Sequence, residues 1–212
     1  PYAASKNKND YKLTSKQEEV FQTLNSEFGK YDVVLLEGVT SSGKTQLYFE
    51  MMENTLNDGK QVLYLLPEIS LTSQMIHRLQ DRFGSKVVVY HSKFSVHERV
   101  EVWNNILNKE AKAQIILGAR SSVFLPFQDL GLIIVDEEHE GSFKQFDPAP
   151  RYHARDSAIV LGKFQKARVL LGSATPAIET RYNVARKKYG YAQLTERFGG
   201  IQMPKINCID LK

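Results

Sequence analysis

Two short runs of residues carry the types and spacing that chemistry needs. The first, Gly38-Val39-Thr40-Ser41-Ser42-Gly43-Lys44-Thr45, fits G-x-x-x-x-G-K-[ST] and lies between an apolar run and a helical pattern. Glycine lets such a loop wrap closely, so that backbone N–H groups and a helix N-terminus face phosphate oxygens. Lys44 then adds a cation for the β- and γ-phosphates, and Thr45 a hydroxyl for Mg²⁺. The second run, Asp136-Glu137-Glu138-His139, ends the apolar stretch Leu132–Val135. A buried strand that delivers carboxylates to a sheet edge suits Mg²⁺ chemistry: Asp136 would hold the metal, directly or through water, and Glu137 would orient and deprotonate an attacking water. Lys44, Thr45, Asp136 and Glu137 are thus the candidate catalytic set, with Thr45 and Asp136 as metal ligands. The plainer alternatives are a Gly/Ser-rich turn and a solvated charged loop. A phosphate loop alone leaves a small-molecule kinase open, whereas the added Glu137 argues for hydrolysis.

Elements that could position these residues alternate along the chain. Apolar runs at Val33–Leu36, Gln61–Leu66, Lys86–Tyr90, Gln114–Leu117, Leu132–Val135 and Arg168–Leu171 suit strands buried on both faces of a parallel sheet. Helical patterns occupy Ser15–Phe28, Lys44–Asn57, Leu71–Phe83, Val96–Asn108, His153–Phe164 and Ala177–Lys188, with Gly59, Gly84 and Gly190 placed to stop three of them. This alternation predicts an α/β fold, a mostly parallel, doubly wound sheet with helices on both faces, whose ligand site lies at the carboxyl ends of the strands.

At 212 residues the chain has room for one substantial core and not for two full α/β domains. Residues 1–12 read as a polar linker, 13–200 as one lobe, and 201–212 as the start of a connection onward, so that the sequence reads as a piece of a longer protein. Its 28 Lys and Arg against 24 Asp and Glu leave a formal charge of +4, which permits a phosphate-bearing partner without requiring one. The single cysteine, Cys208, excludes an internal disulfide or a cysteine-based zinc cluster and fits a reducing cytoplasm. His91 and His139 lack the neighbouring ligands of a zinc site. No apolar stretch approaches the roughly 18 residues that a membrane span needs.

Asp136-Glu137-Glu138-His139 resembles the DEAH-type box of superfamily 2 helicases, and Gly172-Ser173-Ala174-Thr175-Pro176 resembles their Ser-Ala-Thr motif. Leu35–Thr40, Leu66–Thr72, His91-Ser92 with Glu98-Arg99, and Arg151–Asp156 are similar to the primosomal, replication-restart helicases within that superfamily. The resemblance runs from about Leu13 to the C-terminus. It implies a RecA-like lobe that binds ATP with Mg²⁺. It places Gln17 as the adenine reader, an assignment for which an amide's donor and acceptor are suited; a surface glutamine on a first helix is the alternative.

The resemblance also implies nucleic-acid contacts. Pro67 and Ser70 lie where the family binds backbone phosphates, although Ser70 could equally cap a helix. Arg120 offers a second backbone contact, beside an Ala119 where relatives carry Thr. Phe143, Lys144, Phe146, Arg151 and Tyr152 look like the family's aromatic-rich loop, in which rings stack on bases while cations hold the strand; packing of the rings onto the lobe is the alternative. His139 would link the hydrolytic site to Ser173 and Thr175.

The function implied is an ATP-dependent DNA helicase, with 3′-to-5′ travel and replication restart at forked DNA in the bacterial cytoplasm, near the nucleoid. Primosome and single-strand-binding proteins would be partners. A second lobe in cis would supply an arginine finger, and zinc would belong only to other parts of the full protein. A nucleotide-gated DNA-binding module without unwinding is the alternative.

Overall fold

The computed structural model describes residues 12–91 and 94–197. Ser92, Cys208, the proposed connection at 201–212 and all but residue 12 of the proposed linker lie outside the described residues.

Runs of Val, Ile and Leu cannot leave either face to water, and here both faces are covered. Seven strands, β1 (Val33–Gly38), β2 (Gln61–Leu65), β3 (Val87–Tyr90), β4 (Ile115–Gly118), β5 (Leu130–Asp136), β6 (Arg168–Ser173) and β7 (Gly190–Leu194), form one sheet in the order β3-β4-β2-β5-β6-β1-β7. Every pairing in it is parallel. Side chains alternate between two cores, as the period of a strand demands. Val34, Leu36, Val62, Tyr64 and Ile134 meet helices α1 (Ser15–Phe28), α2 (Lys44–Asn57) and α3 (Ser73–Phe83) on one face. Leu35, Leu63, Ile133 and Leu171 meet α4 (Val96–Leu107) and α5 (Ala154–Gln165) on the other. A short α6 (Ile178–Ala185) precedes β7.

Local chemistry explains the helix ends. Thr14 and Gln17 cap α1 reciprocally, and Ser95 and Glu98 do the same for α4. Three expectations are corrected. Ser70 does not cap a helix: Glu68–Ser70 is a separate 3₁₀ turn, and the hydroxyl that accepts from the first turn of α3 is that of Thr72, on Met75 N. Gly190 does not stop a helix but begins β7, and α6 ends at Ala185, short of Lys188. β7 itself was not expected from the pattern. Its buried residues Gly190, Ala192 and Leu194 alternate with half-buried Tyr191 and exposed Gln193, so it lacks the continuous apolar run that marked the other six.

Candidate functional site

Parallel register sets the ends of three strands abreast. Glu37 of β1 pairs with Ser173 of β6, and Asp136 of β5 pairs with Gly172 of β6. The loop that follows β1, the acid that ends β5 and the Ser-Ala-Thr segment that follows β6 therefore open on one edge. A cavity of about 560 Å³ there is lined by Gln17, the loop residues Thr40 to Gly43, the first turn of α2 from Lys44 to Gln46, Arg78, Asp136 and Glu137. That volume is ordinary for a nucleotide-sized ligand.

Within the loop, Gly43 has φ of +87°, a conformation that glycine adopts without strain, and Ser41 also sits in the left-handed region at +62°. These turns carry the chain into α2, whose first-turn N–H groups lack intrahelical acceptors and face the loop. Ser42 Oγ is buried without a hydrogen-bond partner. Lys44 is buried too, and its Nζ donates to the carbonyl of Gly38 at 2.7 Å, closing the loop on itself. Val39 N donates to Leu194 O, which fastens the loop to the strand that the sequence did not reveal.

Asp136 is held on both oxygens. Tyr48 from α2 donates its hydroxyl to Oδ1 at 2.9 Å, and Tyr64 from β2 donates to Oδ2 at 3.2 Å. Glu137 N also donates to Oδ1, at 3.1 Å. Burial, followed by the charge of Asp136, pushes both phenols well above their ordinary pKa, which keeps them protonated donors. The Asp136 carboxyl is itself raised. Desolvation is the main cause and the charge of Glu137 adds to it, while the Tyr48 hydroxyl and Lys44 pull the other way. Tyr48 reaches Asp136 only because residue 172 is glycine: a Cβ there would lie 1.8 Å from the Tyr48 hydroxyl.

Glu137 follows in a left-handed conformation, φ +50°, which turns its side chain out of the strand's path; its carboxylate lies 3.7 Å from His139 Nδ1. His139 meets both expected partners, with Nδ1 2.7 Å from Ser173 Oγ and Nε2 3.3 Å from Thr175 Oγ1.

The donor set fits a triphosphate with its metal. Oδ2 of Asp136 carries one phenol and retains a lone pair for a metal or its water, and Thr45 lines the same cavity. Gln17 is no surface glutamine, being 2% exposed. Its Oε1 accepts from Thr14 N at 2.9 Å and its Nε2 donates to Gly43 O at 3.4 Å, so that the amide is pinned against the loop with one N–H and one lone pair to spare.

The residues assigned to nucleic acid divide into anchors and tips. Phe143 is corrected from a base-stacking ring to a core residue, 1% exposed. Arg120 braces the segment through one guanidinium nitrogen, Nη1, which donates to the carbonyls of Ser142 at 3.4 Å and Lys144 at 3.2 Å. Tyr152 packs edge-on against Phe124, ring centroids 4.7 Å apart, against the second core. Lys144 and His153 form an antiparallel bridge, and Gln145 Nε2 donates to the carbonyls of Pro148 and Pro150. What this fold-back presents outward is Phe146, 70% exposed, and Arg151, with Lys144 half-buried beside them. Pro67 is buried at the end of β2 and Ser70 is half-buried in the turn that follows.

A family profile described as DEAD/DEAH box helicase matches residues 14–184. The chain belongs to the DEAD/DEAH box helicase family. Among individual relatives, it is 45% identical over 84% of its length to replication restart protein PriA of Rickettsia felis. To the proteins of the same name from Rickettsia prowazekii and Bacillus subtilis it is 42% identical over 94% of its length. It spans between 25 and 30% of these relatives' own length. Of solved structures, RecG bound to a three-way DNA junction superposes with a TM-score of 0.63 at 18% identity, covering 90% of this chain and 25% of that one. The Hef helicase domain of Pyrococcus furiosus superposes with a TM-score of 0.61 at 19% identity, covering 88% and 40%. The fold of this DEAD/DEAH family member is thus a RecA-like lobe, as its motifs led one to expect.

Sequence reasoning missed Tyr48, Tyr64 and Glu138. Both tyrosines read as ordinary apolar-face residues, and nothing in their spacing to Asp136 shows that the fold aims them at it. Glu138, inside the acidic box, is completely buried. A charged residue directly after a core strand gives no sign of that. Arg78, which lines the cavity from α3, was likewise invisible without the packing of α3 beside α2.

Proposed function

We propose that this chain is the ATP-binding lobe of a DNA-translocating motor, resembling the first helicase lobe of PriA, and that residues 13–200 form that lobe. The observation that carries this reading is the register that sets the phosphate loop, the acidic box and the Ser-Ala-Thr segment around one cavity, with the fold-back bearing Phe146 and Arg151 joined directly to the box. ATP is held by Gly38 to Thr45, with Gln17 at the adenine. Thr45 and Asp136 hold Mg²⁺, which when bound offsets the negative charge that the reaction must pass through. Lys44 leaves Gly38 for the terminal phosphates. Glu137 takes the proton of the attacking water, and the phenols of Tyr48 and Tyr64 keep Asp136 oriented. On the track side, Phe146 stacks on a base of single-stranded DNA while Arg151 and Lys144 hold its backbone, and Ser70, in the turn that buried Pro67 introduces, meets a backbone phosphate.

A second lobe in cis completes the site. The relatives' name points to replication restart; beyond it we infer forked DNA as the substrate, 3′-to-5′ travel, primosome and single-strand-binding proteins as partners, and work at the bacterial nucleoid in the cytoplasm. Zinc belongs to other modules of the full-length protein. No described helix is long and apolar enough to cross a membrane.

ATP hydrolysis by the full-length protein, measured with and without single-stranded DNA and RNA, tests this. DNA is expected to stimulate it and RNA not. Lys44→Ala and Glu137→Gln are each expected to abolish strand separation. Equal turnover with and without nucleic acid would sink the motor reading, and intact DNA binding with no strand separation by the wild type would favour a nucleotide-gated binding module.

A further inference from the structure

The carboxylate of Glu138 has no part in the chemistry above, yet it is the most completely enclosed charge of the site, at 0% exposure. Its own N–H donates to Gly172 O at 3.0 Å, which ties it to β6. Oε1 accepts from Ala177 N at 2.7 Å, at the threshold of α6, and Oε2 accepts from Thr180 Oγ1 at 2.9 Å, inside α6. Oε2 also takes Arg155 Nη1 at 3.0 Å. Arg155 stands in the first turn of α5, two residues past the bridge at His153 that closes the aromatic fold-back.

We propose that Glu138 is a positioning residue that couples DNA contact to hydrolysis, one buried carboxylate clamping the acidic box to the start of α5 and the start of α6. This rests on the motor reading. Its physical basis is the cost of leaving a buried charge without a countercharge: a movement of α5 that withdrew Arg155 would leave the carboxylate only the Ala177 N–H and the Thr180 hydroxyl, so the box moves with α5 instead. Glu137 is the next residue along the chain, and a shift in Glu138 therefore reorients the group assigned to the water. The His139 contacts reach Ser173 and Thr175 but not the fold-back. Glu138 supplies that second connection. A carboxylate suits the task because it accepts three donors on two oxygens, whereas an amide would turn an N–H toward one of them.

The test uses full-length protein and three variants: Glu138→Gln, Thr180→Val, which removes one donor at nearly constant volume, and Arg155→Lys, which keeps the charge and loses the fork. Turnover and KM for ATP are measured with and without single-stranded DNA. The ratio of stimulated to unstimulated turnover is expected to fall about fivefold or more in Glu138→Gln and measurably in the other two, a size ordinary for coupling between sites. KM for ATP in Thr180→Val should stay within about twofold of wild type, because uniform substrate binding is untouched. A wild-type ratio in the folded variants overturns the clamp, and so does a parallel loss of both rates, which marks a merely structural part. If Glu138→Gln does not fold, Thr180→Val and Arg155→Lys decide by the same criteria. A wild type that DNA does not stimulate defeats the motor reading itself, and the two failures are therefore told apart.

Discussion

Tyr48 shows how a residue with no chemical signature comes to govern a site. It lies one turn beyond Lys44 on α2, fully buried, and its hydroxyl spans the gap to Asp136 across the space that Gly172 leaves open. With Tyr64 on the other oxygen, Asp136 has little freedom to rotate. Tyr48→Phe keeps the ring and removes only the donor, so stability should fall by about 1 kcal/mol. The half-saturating Mg²⁺ concentration for ATP hydrolysis should rise about tenfold or more, as when other outer-shell partners of metal ligands are removed. Magnesium titrations of full-length wild type and variant, beside a thermal melt, check both; an unchanged Mg²⁺ requirement would refute the orienting role. Gln17 is a second case at this scale. Its residue type allowed an exposed side chain or an adenine reader, and what the fold decides is that its amide is packed against Gly43.

At the scale of elements, the segment between β5 and α5 is the informative one. Its composition, rich in rings, cations and prolines, marked it as a candidate DNA surface and left open which rings face outward. Packing separates them. Phe143 fills the second core, Tyr152 rests on Phe124, Arg120 braces the backbone, and Phe146 stands at the tip. Two substitutions separate their roles in the full-length protein. Phe143→Ala should destabilise by about 3–5 kcal/mol, as core phenylalanines do. Phe146→Ala should move stability by no more than about 0.5 kcal/mol. It should weaken binding of single-stranded DNA about fivefold or more, the loss expected for one base–ring stack. Urea melts and anisotropy with a labelled oligonucleotide read both quantities. Equal DNA affinity in Phe146→Ala and wild type would remove this ring from the track.

At the scale of the whole molecule, one sheet carries the cavity along the edge where β1, β6 and β5 end. If a second lobe in cis supplies charge to the transition state, as proposed above, the 212 residues alone are expected to bind ATP weakly, to turn it over slowly and to show no DNA stimulation. Calorimetry with ATP and a steady-state assay on the isolated chain check this; brisk DNA-stimulated hydrolysis by it would contradict the two-lobe mechanism. Much of this molecule was legible from residue order alone. Six strands, the bounds of α1 and α2, the phosphate loop and the acidic box are local patterns, set by side-chain periodicity and by backbone freedom at a few glycines. β7 escaped because Gly190 and the exposed Gln193 interrupt its apolar residues, which leaves a five-residue alternation too short to read. The phenols on Asp136, the clamp on Glu138 and the division of the aromatic loop were decided by tertiary structure only. Each depends on a contact between residues tens of positions apart, and whether a polar side chain ends in water, in a core or on a carboxylate is settled by what the sheet's register brings beside it.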